Sequence, residues 1–328
     1  MPTVLITEPI AESAVEVLKQ KGFHVQFEYE KRNSDHAPED VTAVINRLHP
    51  ISDEWMAQYP NLKIIAYHGV GYDGIDTEAA KARGICVAIT PGQNALGVAE
   101  HTMTLIMALS KQLVAVASDY KKDGFSCKYA HSYSEVADKT LGLIGLGNIG
   151  LRVANMARNG FAMHVIAYDP FLKTAPNGIE LVQDRMEIFR EADFISPHLN
   201  LTDDTFHSIG ETEFKAMKPT ACIINVSRGA IIDEPALVRA LQENEIGGAG
   251  LDVTDPEECA LSNPLLHMSN VIVTPHIAGS SKEALERVAT MCIANINAIL
   301  QARNFPEEKS YNIYPFLLYL RRSHVSFR

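Results

Sequence analysis

Arg228, Glu257 and His276 are side chains that could hold an anion and move a proton in this chain of 328 residues. Arg228 lies in Asn225-Val226-Ser227-Arg228-Gly229, just after the apolar run 221–224. An arginine at a strand end can clamp a carboxylate with two parallel hydrogen bonds. His276 lies in Thr274-Pro275-His276-Ile277-Ala278-Gly279, just after the apolar run 271–273, and imidazole exchanges protons near neutral pH. Glu257 stands in the acidic turn Asp255-Pro256-Glu257-Glu258. Taken singly, they read equally well as a surface arginine, a solvated loop and a structural histidine. Together they suit hydride transfer, in which one group must give or take a proton at the substrate oxygen. A carboxylate beside that imidazole would favour its protonated form.

A second constellation points to a phosphate. Gly145-Leu146-Gly147-Asn148-Ile149-Gly150 follows the apolar run 141–144 and opens a helical pattern at Ile149 to Asn159. The first glycine permits a tight turn, the second lets the backbone approach a pyrophosphate, and the third lets the helix pack on its sheet. The helix start supplies unpaired N–H groups and a positive dipole end. The next strand, Met163 to Tyr168, ends at Asp169. A carboxylate there can accept from ribose hydroxyls and would repel a 2′-phosphate, so NAD is expected over NADP.

These residues must be held by alternating strands and helices. Short apolar runs at 4–6, 24–27, 41–45, 62–66 and 85–89 precede the glycine turn, with helices over 11–18 and 75–83. After it, strands are expected at 193–195, 221–225, 248–251 and 271–273, and helices at 211–217, 234–242 and 281–300. Such alternation implies an α/β chain with parallel sheets covered on both faces. Residues 96–117 predict one helix, apolar on nearly every side, buried between two bodies or at a subunit interface. Residues 119–138 read as a polar connector.

On these motifs the chain resembles the family of D-isomer-specific 2-hydroxyacid dehydrogenases, over about residues 40 to 312. The resemblance implies two doubly wound parallel-sheet domains separated by a cleft: a Rossmann-type cofactor domain (101–289) and a flavodoxin-like substrate domain (1–100 and 290–328). It implies catalytic roles for Arg228, Glu257 and His276. The loop His68-Gly69-Val70-Gly71-Tyr72-Asp73 resembles one that binds the substrate carboxylate through backbone N–H groups, which gives His68, Val70 and Gly71 as substrate-binding residues. His68 stands where the family often has a basic residue. Cofactor contacts are expected from Gly145, Gly147, Asn148, Ile149, Gly150, Asp169, Val226, Ser227, Asp252 and Gly279. His198 follows Pro197 where the family usually has leucine, and is carried over only as a neighbour of the cofactor. The expected activity is NAD-dependent reduction of a small 2-keto acid to a D-2-hydroxy acid, resembling glyoxylate, hydroxypyruvate or 3-phosphoglycerate chemistry. Family members are usually dimers, so a homodimer through the cofactor domain and the linking helix is expected. A phosphonate or formate enzyme and a non-catalytic NAD(H)-sensing corepressor are the alternatives.

Composition bounds the rest. Apolar residues at 46% and charged residues at 21% describe a globular chain, and its length favours two domains. A net charge of −11 without a basic stripe argues against a nucleic-acid partner. No apolar stretch reaches membrane length, so no membrane partner is expected. Five scattered cysteines read as reduced thiols of a cytoplasmic protein, and no metal cluster is visible. The tail Tyr311 to Arg328 is aromatic, apolar and basic. It reads as a locally packed terminus, as an arm over its own domain or a partner subunit, or as a membrane-surface anchor, its apolar core 313–320 being too short to span.

Overall fold

A computed structural model describes residues 1–29, 37–176 and 178–301. The tail expectation for 311–328 lies outside them.

The chain divides into two compact units. One comprises Met1–Asn94 and Ser281–Arg328, described as far as Gln301; the other is Ala95–Ser280. The first unit contains β1 (Thr3–Ile6), α1 (Glu12–Gln20), β2 (His24–Phe27), β3 (Val41–Asn46), α2 (Asp53–Ala57), β4 (Ile64–Tyr67), α3 (Thr77–Ala82) and β5 (Cys86–Ala88). Its five parallel strands run in the order β2-β1-β3-β4-β5, the flavodoxin-like winding. Side chains alternate across the sheet. Val4, Ile6, Ile45 and Ile64 meet α1 on one face, while Leu5, Val44 and Ile65 meet Trp55 and Met56 of α2 on the other.

The second unit contains α4 (Ala95–Ser110), α5 (Leu113–Asp123), β6 (Thr140–Ile144), α6 (Asn148–Phe161), β7 (His164–Tyr168), β8 (Glu180–Leu181), α7 (Arg185–Glu191), β9 (Phe194–Pro197), α8 (Glu211–Ala216), β10 (Cys222–Asn225), α9 (Glu234–Gln242), β11 (Gly248–Leu251) and β12 (Val271–Val273). Its seven parallel strands run β12-β11-β10-β9-β6-β7-β8. Winding reverses between β6 and β9, the switch point where Rossmann-type sheets receive ligands. Leu141 and Leu143 face Val153 and Ile106 of α6 and α4, and Ile144 faces Ile188 and Phe189 of α7. Gly142 lets α7 come close: a Cβ there would lie 2.7 Å from Ile188 Cγ2. The last helix, α10 (Lys282–Gln301), returns to the first unit, where Val288, Cys292 and Ile296 join the core of Val4 and Ile64.

Two local expectations need correction. Residues 96–117 are not one helix. Gln112 adopts a left-handed conformation (φ 46°), α4 stops at Ser110 and α5 starts afresh at Leu113. Neither glycine nor proline marks the break. It is held from a distance, by Gln112 Nε2 donating to Ser132 O (3.0 Å), Lys111 Nζ donating to Ser134 O (2.6 Å) and Ser134 N donating to Ser110 O (2.9 Å). The supposed connector 119–138 begins inside α5 and continues as a 3-10 turn over Gly124–Tyr129. Helix α7 was not anticipated, although Asp184 caps it by accepting from Met186 N and Glu187 closes a capping box.

Candidate active site

In the second unit the C-terminal ends of β6, β9, β10, β11 and β12 carry the sequence-nominated polar residues. After β10, Asn225 folds the chain back on itself. Its Oδ1 accepts from Ser227 N (3.0 Å) and its Nδ2 donates to Arg228 O (2.8 Å). Ser227 Oγ donates to Pro197 O at the end of β9 (2.7 Å). Val226 is buried beneath this turn. Gly229 then presses on the loop after β11: a Cβ there would stand 2.0 Å from Thr254 O. Only glycine allows that approach, and it seats Arg228 beside the 252–257 segment. The Arg228 guanidinium donates to Ser227 O (2.9 Å).

The loop after β11 holds Glu257. Thr254 Oγ1 donates to Pro256 O (2.9 Å), and Asp255 N donates to Glu234 Oε2 (3.0 Å). The Glu257 carboxylate meets His276 Nδ1 in a direct hydrogen bond. Nδ1 is thereby committed, leaving Nε2 as the nitrogen that can face a substrate. His276 stands just past β12 with a positive φ of 51°. Its N–H donates to Asp252 O (2.8 Å), and the Asp252 carboxylate accepts from Ile277 N (2.9 Å) and Ala278 N (2.7 Å). Asp252 therefore anchors the turn that carries His276 and, three residues on, Gly279.

The glycine turn fits a dinucleotide. Gly145 has φ +97°, and a Cβ on it would lie 2.6 Å from His198 O. A Cβ on Gly150 would lie 2.1 Å from Gly145 O. At Gly147 a Cβ would meet nothing within 4 Å, so the space that a pyrophosphate needs is open. Gly147 caps α6 without any side-chain hydrogen bond, leaving the first-turn N–H groups around Asn148 and Ile149 for an anion. Asp169 bounds the turn: its Oδ2 accepts from Leu146 N (2.9 Å) and its Oδ1 from Phe171 N (3.0 Å). Each oxygen keeps a lone pair for a ribose hydroxyl. His198 is half-buried, yet both ring nitrogens are inaccessible and without partners. Burial pushes it down to a pKa of about 4.

The first unit positions His68, Val70 and Gly71 after β4. His68 N donates to Asn46 O (2.6 Å), and Gly69 O accepts from Thr90 N and Thr90 Oγ1, both at 2.9 Å. Nearby, the Glu8 carboxylate accepts from Arg47 N (3.0 Å) and Leu48 N (2.7 Å). His68 is buried, its Nε2 lacks a partner, and burial with the adjacent Arg47 charge lowers its pKa to about 4. Val70 and Gly71 are half-buried.

Sequence reasoning missed His101 and Thr274 as members of this assembly. His101 Nε2 lies 3.1 Å from Thr274 Oγ1, which donates to Asp252 Oδ1 (2.5 Å). Nothing local in the α4 sequence marks this histidine. The five cysteines are free thiols. Among the described residues no helix is long and apolar enough to cross a membrane, and no His/Cys/Asp/Glu group could hold a metal.

Residues 103–278 match the family model for the NAD binding domain of D-isomer specific 2-hydroxyacid dehydrogenases. The chain is 35% identical to the D-3-phosphoglycerate dehydrogenase of Methanocaldococcus jannaschii over 97% of its own length, but spans only 63% of that protein. It is 35% identical to the glyoxylate reductase of Korarchaeum cryptofilum, covering 90% of this chain and 92% of the relative. Among solved structures, the D-lactate dehydrogenase of Aquifex aeolicus, complexed with NAD and lactic acid, is similar with a TM-score of 0.80 and 28% identity, covering 94% of this chain and 100% of that one.

Proposed function

The chain belongs to the family of D-isomer-specific 2-hydroxyacid dehydrogenases, and from that premise we propose that it reversibly reduces a small 2-keto acid to the D-2-hydroxy acid. The observation that carries this reading is the hydrogen bond between His276 Nδ1 and the Glu257 carboxylate, in loops anchored beside Arg228. NADH, held by the glycine turn, would supply the hydride for the carbonyl carbon. Arg228 clamps the substrate carboxylate through its planar fork. His276 gives a proton from Nε2 to the substrate oxygen, and Glu257 supports the imidazolium through Nδ1. In the reverse direction His276 takes that proton back.

We assign cofactor binding to the 95–280 unit, with the pyrophosphate on Gly145, Gly147, Asn148, Ile149 and Gly150. The adenosine ribose goes to Asp169, whose carboxylate favours NAD over NADP. Val226, Ser227, His198, Asp252 and Gly279 complete its surroundings. Substrate binding falls to the unit of residues 1–94 and 281 onward, through the backbone N–H groups around Val70 and Gly71. His68 is neutral at physiological pH, so it contributes no cationic clamp. The reduced thiols fit a cytoplasmic location.

Glyoxylate- or hydroxypyruvate-like acids and the keto acid of a 3-phosphoglycerate-like substrate share the clamped fragment. A panel of these acids with NADH and NADPH, followed by loss of reduced-cofactor absorbance, tests the proposal. Turnover with NADH on at least one supports it. Tight NADH binding without turnover on any would instead make the chain a cofactor sensor. For assembly, α5 and the segment after it expose Leu113, Val114, Tyr120, Phe125, Tyr129 and Tyr133. A homodimer covering this apolar surface is the proposed state, and light scattering at the mass of one chain would refute it.

A further inference from the structure

Beneath the His276 turn lies a carboxylate that water does not reach. Asp252 is 1% exposed. Its oxygens accept from Ile277 N, Ala278 N and the Thr274 hydroxyl. His101 Nε2 stands 3.1 Å from that hydroxyl oxygen and 3.5 Å from Asp252 Oδ1. Proton counting sets the direction of this chain. A threonine hydroxyl has one proton, and the 2.5 Å bond to the carboxylate takes it. Toward His101 the Thr274 oxygen can only accept, so Nε2 carries a hydrogen and donates it.

We propose that His101 is a positioning residue for the reaction: its Nε2–H, passed through Thr274 to Asp252, locks the turn that aims His276. This rests on the dehydrogenase reading above. His276 is a non-glycine residue at φ +51°, a conformation that persists only where the surroundings fix it. The bonds that fix it run mainly to Asp252, whose carbonyl takes His276 N, shared with Thr274 O (3.0 Å), while its carboxylate takes the next two N–H groups. A buried carboxylate keeps its place only while its donors stay in place. Thr274 Oγ1 has a competing acceptor, Leu251 O at 3.5 Å. The incoming bond from His101 opposes rotation of the hydroxyl toward it. Remove that bond and the hydroxyl is free to leave Asp252, loosening the strap.

The test compares His101→Leu, which removes the donor, with His101→Gln, whose amide restores one at similar reach. With saturating NADH and keto acid, His101→Leu should lower kcat about tenfold, while KM and NADH affinity stay within about twofold. His101→Gln should recover most of the loss. Thr274→Val should lose as much as His101→Leu, and the double variant no more than either single, because both act through one chain. The imidazole Nδ1–H proton resonance of His276 should move in His101→Leu and return in His101→Gln. An unmoved resonance, additive losses, or a glutamine variant as impaired as the leucine one would overturn the proposal. A purely structural His101 would lower thermal stability and leave that resonance in place. The resonance needs no turnover, so a wild-type protein inactive on every keto acid would sink the dehydrogenase reading and leave this proposal to be decided by NMR.

Discussion

His276 has one ring nitrogen committed to Glu257 and hence one route for a proton, through Nε2. His276→Ala should cut turnover by roughly 10²-fold or more while NADH affinity, read by fluorescence, stays nearly unchanged. Near-normal turnover would remove the residue from the role. Glu257→Gln keeps the shape but withdraws the negative charge that supports an imidazolium, so a smaller loss is expected, on the order of tenfold in kcat. Arg228→Lys replaces a planar fork with a point charge and should chiefly raise substrate KM; unchanged KM and turnover would count against the clamp. Arg228 and His276 stood out in the sequence because each closely follows an apolar strand at its C-terminal end, where parallel sheets present ligand-binding loops, whereas Glu257, in an acidic turn six residues past β11, stood out only beside them. Asp252 was legible only as a neighbour of the cofactor. Its work of strapping residues 274–278 became visible once β11 and β12 were seen side by side.

Two elements, the β6–α6 turn and the α4–α5 pair, were read with opposite success. The turn followed from local sterics, since positive φ at Gly145 and the crowding at Gly150 are matters of adjacent backbone. A contrast follows from the geometry. Gly147→Ala meets open space, so it should fold with a thermal midpoint near wild type yet weaken NADH binding at least about tenfold by filling the pyrophosphate approach. Gly150→Ala collides with Gly145 O and should lose both stability and binding. Calorimetry and cofactor titration separate the two, and equal effects of both would discard the cradle assignment. The helix pair was misread because helix formers continue on both sides of Lys111 and Gln112, and the break depends on hydrogen bonds that these two donate to residues some 20 positions later. Periodicity has no access to such partners.

For the whole molecule, buried His68 and half-buried His198, with its inaccessible ring nitrogens, shape acid stability. Burial pushes His68 and His198 down to about 4, below the ordinary histidine value of 6.5. The unfolded chain therefore binds more protons between those values, and stability falls as pH drops from about 6.5 to 4. Each histidine can withdraw up to about 3 kcal/mol across that window. Urea unfolding at stepped pH checks this: His198→Leu should flatten the acid loss relative to wild type, and an unaltered pH slope would contradict it. Sequence alone determined the parallel-sheet α/β architecture and the glycine turn between β6 and α6, and it nominated Arg228, Glu257 and His276 as candidates, because strand periodicity, glycine sterics and strand-end position are local properties. Tertiary structure alone decided which nitrogen of His276 is free, that His68 and His198 stay neutral, and that His101 reaches Thr274 across 173 positions. Those depend on burial and on partners brought together by the β11–β12 edge and α4, which spacing along a chain does not encode.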